Sequence, residues 1–525
     1  MKYFKLLIIV LLAGALSSNC TGDFEELNTR PDALIATNVD ASLLGQAFAR
    51  GQYYGMHGLH WRFQISQSLF SDLYSQYFAT TAANFDSDRY VEVGRWIDLA
   101  WSSFYGQAAP NIKFVEDFAR DNGLPLEEAI AKVWRVQAYH RQTDYWGPII
   151  YSQFGNGETS VSYDSQEDIY NDFFTTLDEA IATLESSRGG NAFGANDQIY
   201  GGDVDQWIKF ANSLRLRLAM RIAYANPSKA QSEAEKAFSG GVMEVNADNA
   251  FMITTANSLN PYTTITNWGE FRMSALMESI LKGYEDPRAG IMFSPAASGD
   301  QDGDGFLYEG LRNGQAKVNK VPELNGNNSD IGQSWLPVGK GGSNPAIQIM
   351  TRAEVFFLRA EGALRGWNMG GTAQDLYESG IRASMEDRAG AAASDIDAYI
   401  ASTNTPAIGG DPAEPNSAPP SDIPVAYDAA GDFERQLEQI ITQKWIAIYP
   451  DGWEAYAEVR RTGYPKLYPL LNSDNPDLGT TDIFRRMTYV DGEFSNNADA
   501  VTAAQSHPEL VGGDKNSTKV WWDKK

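Results

Sequence analysis

Apolar residues recur at spacings of three and four along most of the chain, and this period predicts a mainly α protein. The clearest stripes begin at Leu126, Ile169, Trp207, Val355, Ala373 and Phe433. Asp164 or Ser165 stands where the cap of the second of these helices is expected. Trp134, Trp207 and Trp445 lie on the stripes, so we expect all three in the core. Strand signals are sparse.

Two long stretches, residues 292–347 and 402–431, interrupt the helical pattern. Both are rich in Gly, Asn, Asp and Pro, a composition that is typical of loops. Between them, residues 355–364 and 373–384 form two helical segments of about the size of one degenerate tetratricopeptide-type repeat. Because no linker separates independent units, we predict a single helical domain over residues 41–525 with these two loop-rich insertions.

The first twenty residues are typical of an export signal. Two lysines precede an apolar run over residues 6–16, and short polar residues follow it. This run is too short to span about 30 Å of hydrocarbon, so a permanent transmembrane anchor is the weaker alternative. The chain's single cysteine, Cys20, stands where a lipoprotein signal peptidase would cut, in a sequence that resembles a bacterial lipobox. We therefore predict a signal peptide over residues 1–19 and a lipidated tether over residues 20–40.

Composition and charge exclude several classes of function. The 525 residues carry a net charge of −26, which disfavours binding to nucleic acid in the absence of a basic patch. One cysteine permits no intramolecular disulfide and no thiolate metal cluster, and four histidines leave little material for a zinc site. No motif of a metalloprotease, a serine hydrolase or a P-loop enzyme occurs. A pair of catalytic carboxylates stays open among the 68 acidic residues, because such a pair is defined by its separation in space.

Several segments together resemble the SusD/RagB family of outer-membrane lipoproteins, and most closely its SusD-like 2 branch. The segments are KVWRVQAYHRQTDYWGPIIYSQ (132–153), DQWIKFANSLRLRLAMRIA (205–223), GYEDPRAGIMFSP (283–295), AEVFFLRAEGALRGWNMGGTAQDLYESGIRASME (353–386), IITQKWIAIYPDGWEAYAEVRRTGYPKL (440–467) and STKVWWDKK (517–525). Each motif alone is modest evidence, but their order along the whole chain is specific.

The resemblance implies a SusD-like, nearly all-α fold with degenerate tetratricopeptide-type repeats, long loops and minor β-hairpins. It also implies a lipid-anchored protein on the outer membrane, facing the cell exterior. Such a protein captures oligosaccharides or peptides and, as a lid, passes them to a SusC-like TonB-dependent transporter without catalysis. Two alternatives stay open: an extracellular glycan or peptide hydrolase, and a surface adhesin or structural lipoprotein.

Glycan and peptide binding both use aromatic faces flanked by amide, carboxylate and guanidinium groups. The loop-like stretches that the resemblance associates with the ligand contain such residues. The candidate ligand contacts are Tyr77, Phe85, Arg89, Tyr90, Trp268, Arg272 and Trp335. For each aromatic residue, packing in the core or in a loop is the alternative.

A calcium-loop pattern begins at Asp300. Asp300, Asp302 and Asp304 supply carboxylates at alternate positions, ahead of a glycine. The twelfth position is Leu311 where a bidentate Glu is expected, and Glu309 stands two residues early. The segment is therefore either a calcium site or a solvated Asp-Gly turn, and no cofactor is required by any other motif.

Overall fold

In the computed structural model, the described residues are 41–409, 411 and 417–525. The predicted signal peptide, Cys20 and the tether up to residue 40 lie outside these residues. Contacts divide the chain after Gln46. Of the first unit the structure describes the opening turns of α1, and the account below concerns the second unit, which starts at Ala47.

The fold is mainly helical, as predicted, with connections of widely varying length. The helices are α1 (Ala41–Gly55), α2 (His60–Phe63), α3 (Ser71–Tyr74), α4 (Gly94–Ser103), α5 (Ala109–Asp121), α6 (Pro125–Trp146), α7 (Gln166–Glu185), α8 (Val204–Arg221), α9 (Pro227–Gly240), α10 (Pro261–Ile265), α11 (Ala275–Gly283), α12 (Ala289–Met292), α13 (Arg352–Leu364), α14 (Ala373–Ala389), α15 (Ala393–Ile400), α16 (Phe433–Ala447), α17 (Gly452–Thr462), α18 (Asp491–Asn496) and α19 (Ala498–Gln505). A π-helical turn (Gln64–Ser68) continues α2, and a second (Phe104–Ala108) continues α4.

Short polar side chains set the starts of the long helices. The hydroxyl of Ser165 accepts a hydrogen bond from the Asp168 amide at 3.0 Å, so Ser165 is the cap of α7. Asn226 caps α9 directly before Pro227, which occupies the first position of the helix. Thr351 and Thr372 cap α13 and α14 in the same way. Local side-chain chemistry therefore determines these helix boundaries.

Consecutive helices pack as pairs, in the manner of degenerate tetratricopeptide units. The pair α13–α14 shows how close the approach is. A Cβ atom at Gly380 of α14 would lie 2.8 Å from the Phe357 ring of α13, so a larger residue would push the helices apart. Trp134, Trp207 and Trp445 are all buried, which confirms their predicted place in the core.

A network of buried charges crosses the core. Arg217 and Arg221 of α8 pair with Glu354 and Glu454, and Lys444 of α16 lies 3.1 Å from Glu454. The arginines on α8 therefore neutralise carboxylates in the core. Because each charge is removed from water, every partner is needed to balance the others.

The strands are few and short: β1 (Phe78–Thr80), β2 (Ala250–Met252), β3 (Phe271–Met273) and β4 (Ile347–Met350). β1 pairs antiparallel with β3, with Phe78 opposite Met273. β2 pairs antiparallel with β4, and a bulge lies between Ala250 and Phe251. Each pair joins segments that are far apart in sequence, so these strands are not the hairpins that we expected. Within the described residues, the helices are too short or too polar to cross a bilayer.

Candidate functional site

The β1–β3 pair brings two of the predicted ligand-contacting segments together. Ala79 faces Arg272 across the sheet, and the Phe85 ring lies 5.9 Å from the Phe271 ring, centre to centre. The residues around 77–90 and 268–273 therefore form one region of the molecule, although about 190 residues separate them in sequence.

Tyr77, Phe85 and Tyr90 are buried, which corrects the expectation that they are surface aromatics. The Tyr77 hydroxyl donates to the carbonyl oxygen of Trp445, and the Tyr90 hydroxyl donates to that of Asp482 at 3.0 Å. The physical reason is that segments distant in sequence cover this stretch and accept the hydroxyl hydrogen bonds: α16 for Tyr77, and the loop that precedes α18 for Tyr90. In this structure the three side chains stabilise the core and present no face to a ligand.

Arg89 and Arg272 are also buried, and they use their donors inside the protein. Arg89 forms ion pairs of 2.6 Å with Asp86 and with Asp474. Arg272 donates to the Asn325 carbonyl oxygen at 3.0 Å and lies 3.3 Å from the Asp330 carboxylate. Each guanidinium group therefore connects its own segment to another segment of the protein.

Trp268 stays at the surface, with 40% of its area exposed. Its ring meets that of His60 edge to face, with the ring centres 5.6 Å apart. Trp268 follows α10 and precedes β3, so the backbone on both sides of the ring is held in place. Of the aromatic residues predicted from sequence, it presents the most exposed face.

A cavity of about 270 Å³ lies beside α10 and reaches the half-buried side chains of Phe251 and Pro345. Its apolar wall is formed by Met56, Phe63, Phe251, Pro261, Tyr262, Trp335 and Ile347. Its polar groups are those of Gln67, Asn260, Gln348, Asp387, Arg388 and Asp451. A concave apolar surface with a few convergent polar groups is the usual form of a small-ligand site.

Trp335, predicted from sequence, is one wall of this cavity and packs edge to face on Tyr449. Phe251, Arg388 and Gln348 also line the cavity but are not among the ligand contacts predicted from the sequence. Phe251 and Gln348 face each other in the β2–β4 pair, and Arg388 comes from the last turn of α14. No local signal in the sequence shows which strand pairs with β2, so the sequence gives no means of bringing these residues together.

A second cavity, of about 460 Å³, lies over the loop of residues 311–328. Its wall combines the exposed side chains of Val318 and Leu324 with asparagine amides. The segment of residues 260–273 lines the first cavity and is hydrogen-bonded to Asn325, a residue that lines the second. The Thr266 hydroxyl donates to the Trp335 carbonyl oxygen at 3.4 Å, and the Asn325 amide donates to that of Gly269 at 3.1 Å.

The carboxylate oxygens of Asp300, Asp302 and Asp304 lie within 4.8 Å of one another. The amides of Gly303 and Gly305 donate to Asp300 at 2.6 and 2.8 Å, which holds the turn. The ammonium group of Lys282 lies 2.7 Å from Asp304 and 3.6 Å from Asp302, so a protein cation already faces two of the three carboxylates. Calcium binding at this turn stays a prediction.

Comparison with known proteins places the chain in a family. Residues 28–523 match the family described as SusD-like, the SusD and RagB outer membrane lipoproteins. The chain belongs to the SusD-like family. No curated protein matches it.

Solved SusD homologues resemble this SusD-like chain over nearly its whole length. A chitin-binding SusD homologue from Flavobacterium johnsoniae is 39% identical, with 92% of this chain and 99% of that chain covered and a TM-score of 0.83. A SusD homologue from Bacteroides uniformis is 34% identical, covers 93% of this chain and 100% of its own, and has a TM-score of 0.82. One from Bacteroides thetaiotaomicron is 32% identical, with the same coverage and a TM-score of 0.82.

In this SusD-like chain, Asp72 accepts hydrogen bonds from two residues of the cavity wall. The Tyr262 hydroxyl donates to one of its oxygens at 2.9 Å, and the Gln67 amide donates to the other at 3.0 Å. Burial above all raises the pKa of Asp72 to about 7, although these two hydrogen bonds oppose the shift, and the nearby Asp451 carboxylate makes a smaller contribution in the same direction as burial. Two residues of the cavity wall are thus held by a carboxyl group that changes charge near neutral pH.

We expect Asp72→Asn to remove part of the decrease in folding stability that the wild-type protein shows as pH rises. Because the folded protein binds this proton more tightly than the unfolded chain, wild-type stability falls as pH rises from about 4 to about 7. Relative to wild type, Asp72→Asn should therefore gain about 2 kcal/mol in the free energy of unfolding between about pH 5 and about pH 8. Urea unfolding at the two pH values measures the difference. An unchanged difference would show that Asp72 is ionised in the folded protein throughout.

Proposed function

We propose that this protein is a cell-surface glycan-binding lipoprotein that delivers oligosaccharides to a SusC-like TonB-dependent transporter in the outer membrane. The observation that carries the proposal is the cavity beside α10, in which Trp335, Tyr262 and Phe251 surround a set of polar groups. The similarity to a chitin-binding homologue favours a saccharide over a peptide.

The chemistry of the cavity suits a sugar ring. A pyranose offers C–H faces, which pack on aromatic and proline side chains, and hydroxyl groups, which need amide, carboxylate or guanidinium partners. The cavity provides both kinds of surface within about 270 Å³, a size at the small end of ligand sites. We infer that it holds one sugar unit, while Trp268 and the second cavity are available to the rest of a longer chain.

The carboxylates of the cavity wall favour binding without catalysis. Asp451 accepts from one nitrogen of Arg141 at 3.1 and 3.2 Å, and Asp387 pairs with Arg352 at 2.7 Å. A glycosidase needs one carboxyl group free to donate a proton and a second free to act as nucleophile or base. Both carboxylates that face this cavity are instead paired with arginine.

Trp335→Ala tests the cavity as a saccharide site. Loss of the indole should weaken binding of a chito-oligosaccharide by about tenfold, since a packed aromatic contact contributes on the order of 1 kcal/mol beyond its buried area. Isothermal titration calorimetry of the purified mature protein measures the affinity. A thermal unfolding scan of the variant confirms that the fold survives.

Phe154→Ala is a matched control, because this half-buried aromatic packs on Tyr105 outside the cavity. It should leave the affinity unchanged. Undiminished binding by Trp335→Ala would remove the cavity from the site, and binding of peptides in place of saccharides would reassign the ligand class.

The membrane and transporter parts of the proposal rest on Cys20 and on membership of the family. In a native membrane, the protein should co-purify with a large β-barrel after detergent extraction. Cys20→Ala should release it from the outer membrane, because acyl chains on that residue are its predicted anchor. A protein that stays membrane-bound without Cys20, or that purifies without a barrel partner, would contradict the proposal.

A further inference from the structure

Three charged side chains line the cavity beside α10, and they are not equally balanced. Asp451 is paired with Arg141, and Asp387 is paired with Arg352. Arg388, the third, makes no ion pair within the part of the chain that the structure describes. The cavity wall therefore carries one positive charge without a counter-ion.

Neighbouring backbone holds the Arg388 guanidinium group in place through one nitrogen. Its Nη2 atom donates to the carbonyl oxygen of Tyr449 at 2.5 Å, to that of Ala447 at 3.3 Å, and to Oε1 of Gln348 at 3.1 Å. The two carbonyls lie at and just beyond the carboxyl end of α16, where the helix dipole attracts a cation. Among the described residues, Nε and Nη1 have no hydrogen-bond partner, so these donors remain available to a ligand.

The surroundings of Arg388 leave its charge uncompensated. Burial, followed by repulsion from Arg288, lowers the pKa of Arg388 to about 10. The side chain is still a cation at neutral pH. Arg288 itself is paired with Asp286 at 2.6 Å, so that carboxylate is already occupied. An anion that entered the cavity would meet a guanidinium group whose position is fixed by Gln348 and by the carbonyl oxygens of Ala447 and Tyr449.

We propose that Arg388 recognises the carboxylate of an acidic sugar unit in the ligand. This inference rests on the proposed function and specifies its substrate class as oligosaccharides that contain a uronic-acid type residue. Nη1, which the described residues leave free, can donate a charge-assisted hydrogen bond to one oxygen of that carboxylate, and the guanidinium charge attracts the carboxylate as a whole. The sugar ring then lies against the apolar wall beside Trp335 and Tyr262.

Matched pairs of oligosaccharides test this inference. The probes are tetragalacturonate with its methyl ester, and a hyaluronan tetrasaccharide with its carboxyl-reduced form; chitotetraose is the neutral reference. By calorimetry, we expect the wild-type protein to bind the acidic member of at least one pair about tenfold more tightly than its neutral partner. This preference should shrink as the salt concentration rises, a readout that needs no variant.

Arg388→Gln should abolish the preference. The acidic probe should then bind only as tightly as its neutral partner, and the affinity for the neutral partner should not change. Arg388→Lys should keep the charge and part of the preference but lose the planar group that Gln348 and the two backbone carbonyls hold in place. Arg382→Gln is the matched control, because Arg382 lies on the same helix and pairs at the surface with Asp397. It should change neither affinity.

The outcomes separate the two proposals. Equal affinity for the members of both pairs, or an undiminished preference in Arg388→Gln, would overturn the role of Arg388 and leave glycan binding in place. Failure of all five probes to bind would overturn the proposed function, and this inference with it. If Arg388→Gln unfolds, the salt dependence of the wild-type preference and the behaviour of Arg388→Lys still decide the question.

Discussion

Replacing Glu454 by Gln is expected to lower the free energy of unfolding by about 3–5 kcal/mol, the usual cost of removing one partner from a buried ion pair. Glu454 is buried at the start of α17, where it pairs with Arg221 and lies 3.1 Å from Lys444. Burial by itself raises the pKa of Glu454, but Arg221, Lys444 and Arg217 outweigh it and hold the pKa well below its usual value. The amide variant would leave these cations in the core with too little negative charge.

Urea unfolding followed by circular dichroism measures this loss. Glu179→Gln is the control, since Glu179 makes an exposed ion pair of 3.2 Å with Lys132. Surface pairs of this kind contribute about 0–1 kcal/mol, so the control should be nearly neutral. Equally small effects in the two variants would mean that the core does not depend on the charge of Glu454.

Glu361→Gln should destabilise the protein by about 3 kcal/mol at neutral pH, and this loss should disappear in acid. Glu361 is buried and accepts from two nitrogens of Arg461 at 2.7 and 2.6 Å and from Arg365 at 2.8 Å. Burial alone raises the pKa of Glu361, but the two arginines overcome that effect and lower it to about 2.

The sign of the pH dependence follows from this depressed pKa. The stabilisation is fully present above the unfolded pKa of about 4.5, and it is lost as pH falls through the folded value of about 2. The difference between wild type and Glu361→Gln should therefore shrink over that window, which urea unfolding at several pH values measures. Glu185→Gln, which alters an exposed pair with Arg188, should show no such trend. A constant difference would refute the depressed pKa.

The buried charges and the candidate cavity share a residue. Asp451 caps α17, pairs with Arg141 and lines the cavity. Its side chain is therefore fixed from two directions before any ligand arrives. A wall that is held in this way loses little conformational entropy on binding, which favours affinity. We infer that the ion network contributes to function by keeping the cavity in shape.

The helices could be predicted from the sequence because their signals are local. The spacing of apolar residues gives a helix its buried face, and a residue such as Ser165 or Thr372 caps it through atoms three positions away. The core positions of Trp134 and Trp445 follow from the same periodicity. The order of the motifs along the chain was also sufficient to indicate the family. Motifs such as residues 132–153 and 440–467 can be compared without a folded structure.

The candidate site depended on the tertiary structure. Tyr77 and Tyr90 have the composition of a ligand-binding loop around them, yet segments hundreds of residues away bury both rings. Arg388 resembles any basic residue in the last turn of a helix until the backbone after α16 and the β2–β4 pair close around it. Burial and pairing depend on which distant segments meet, and local periodicity contains no information about that. The sequence by itself determined the helices and the family, whereas three-dimensional packing alone decided which side chains line the candidate cavity.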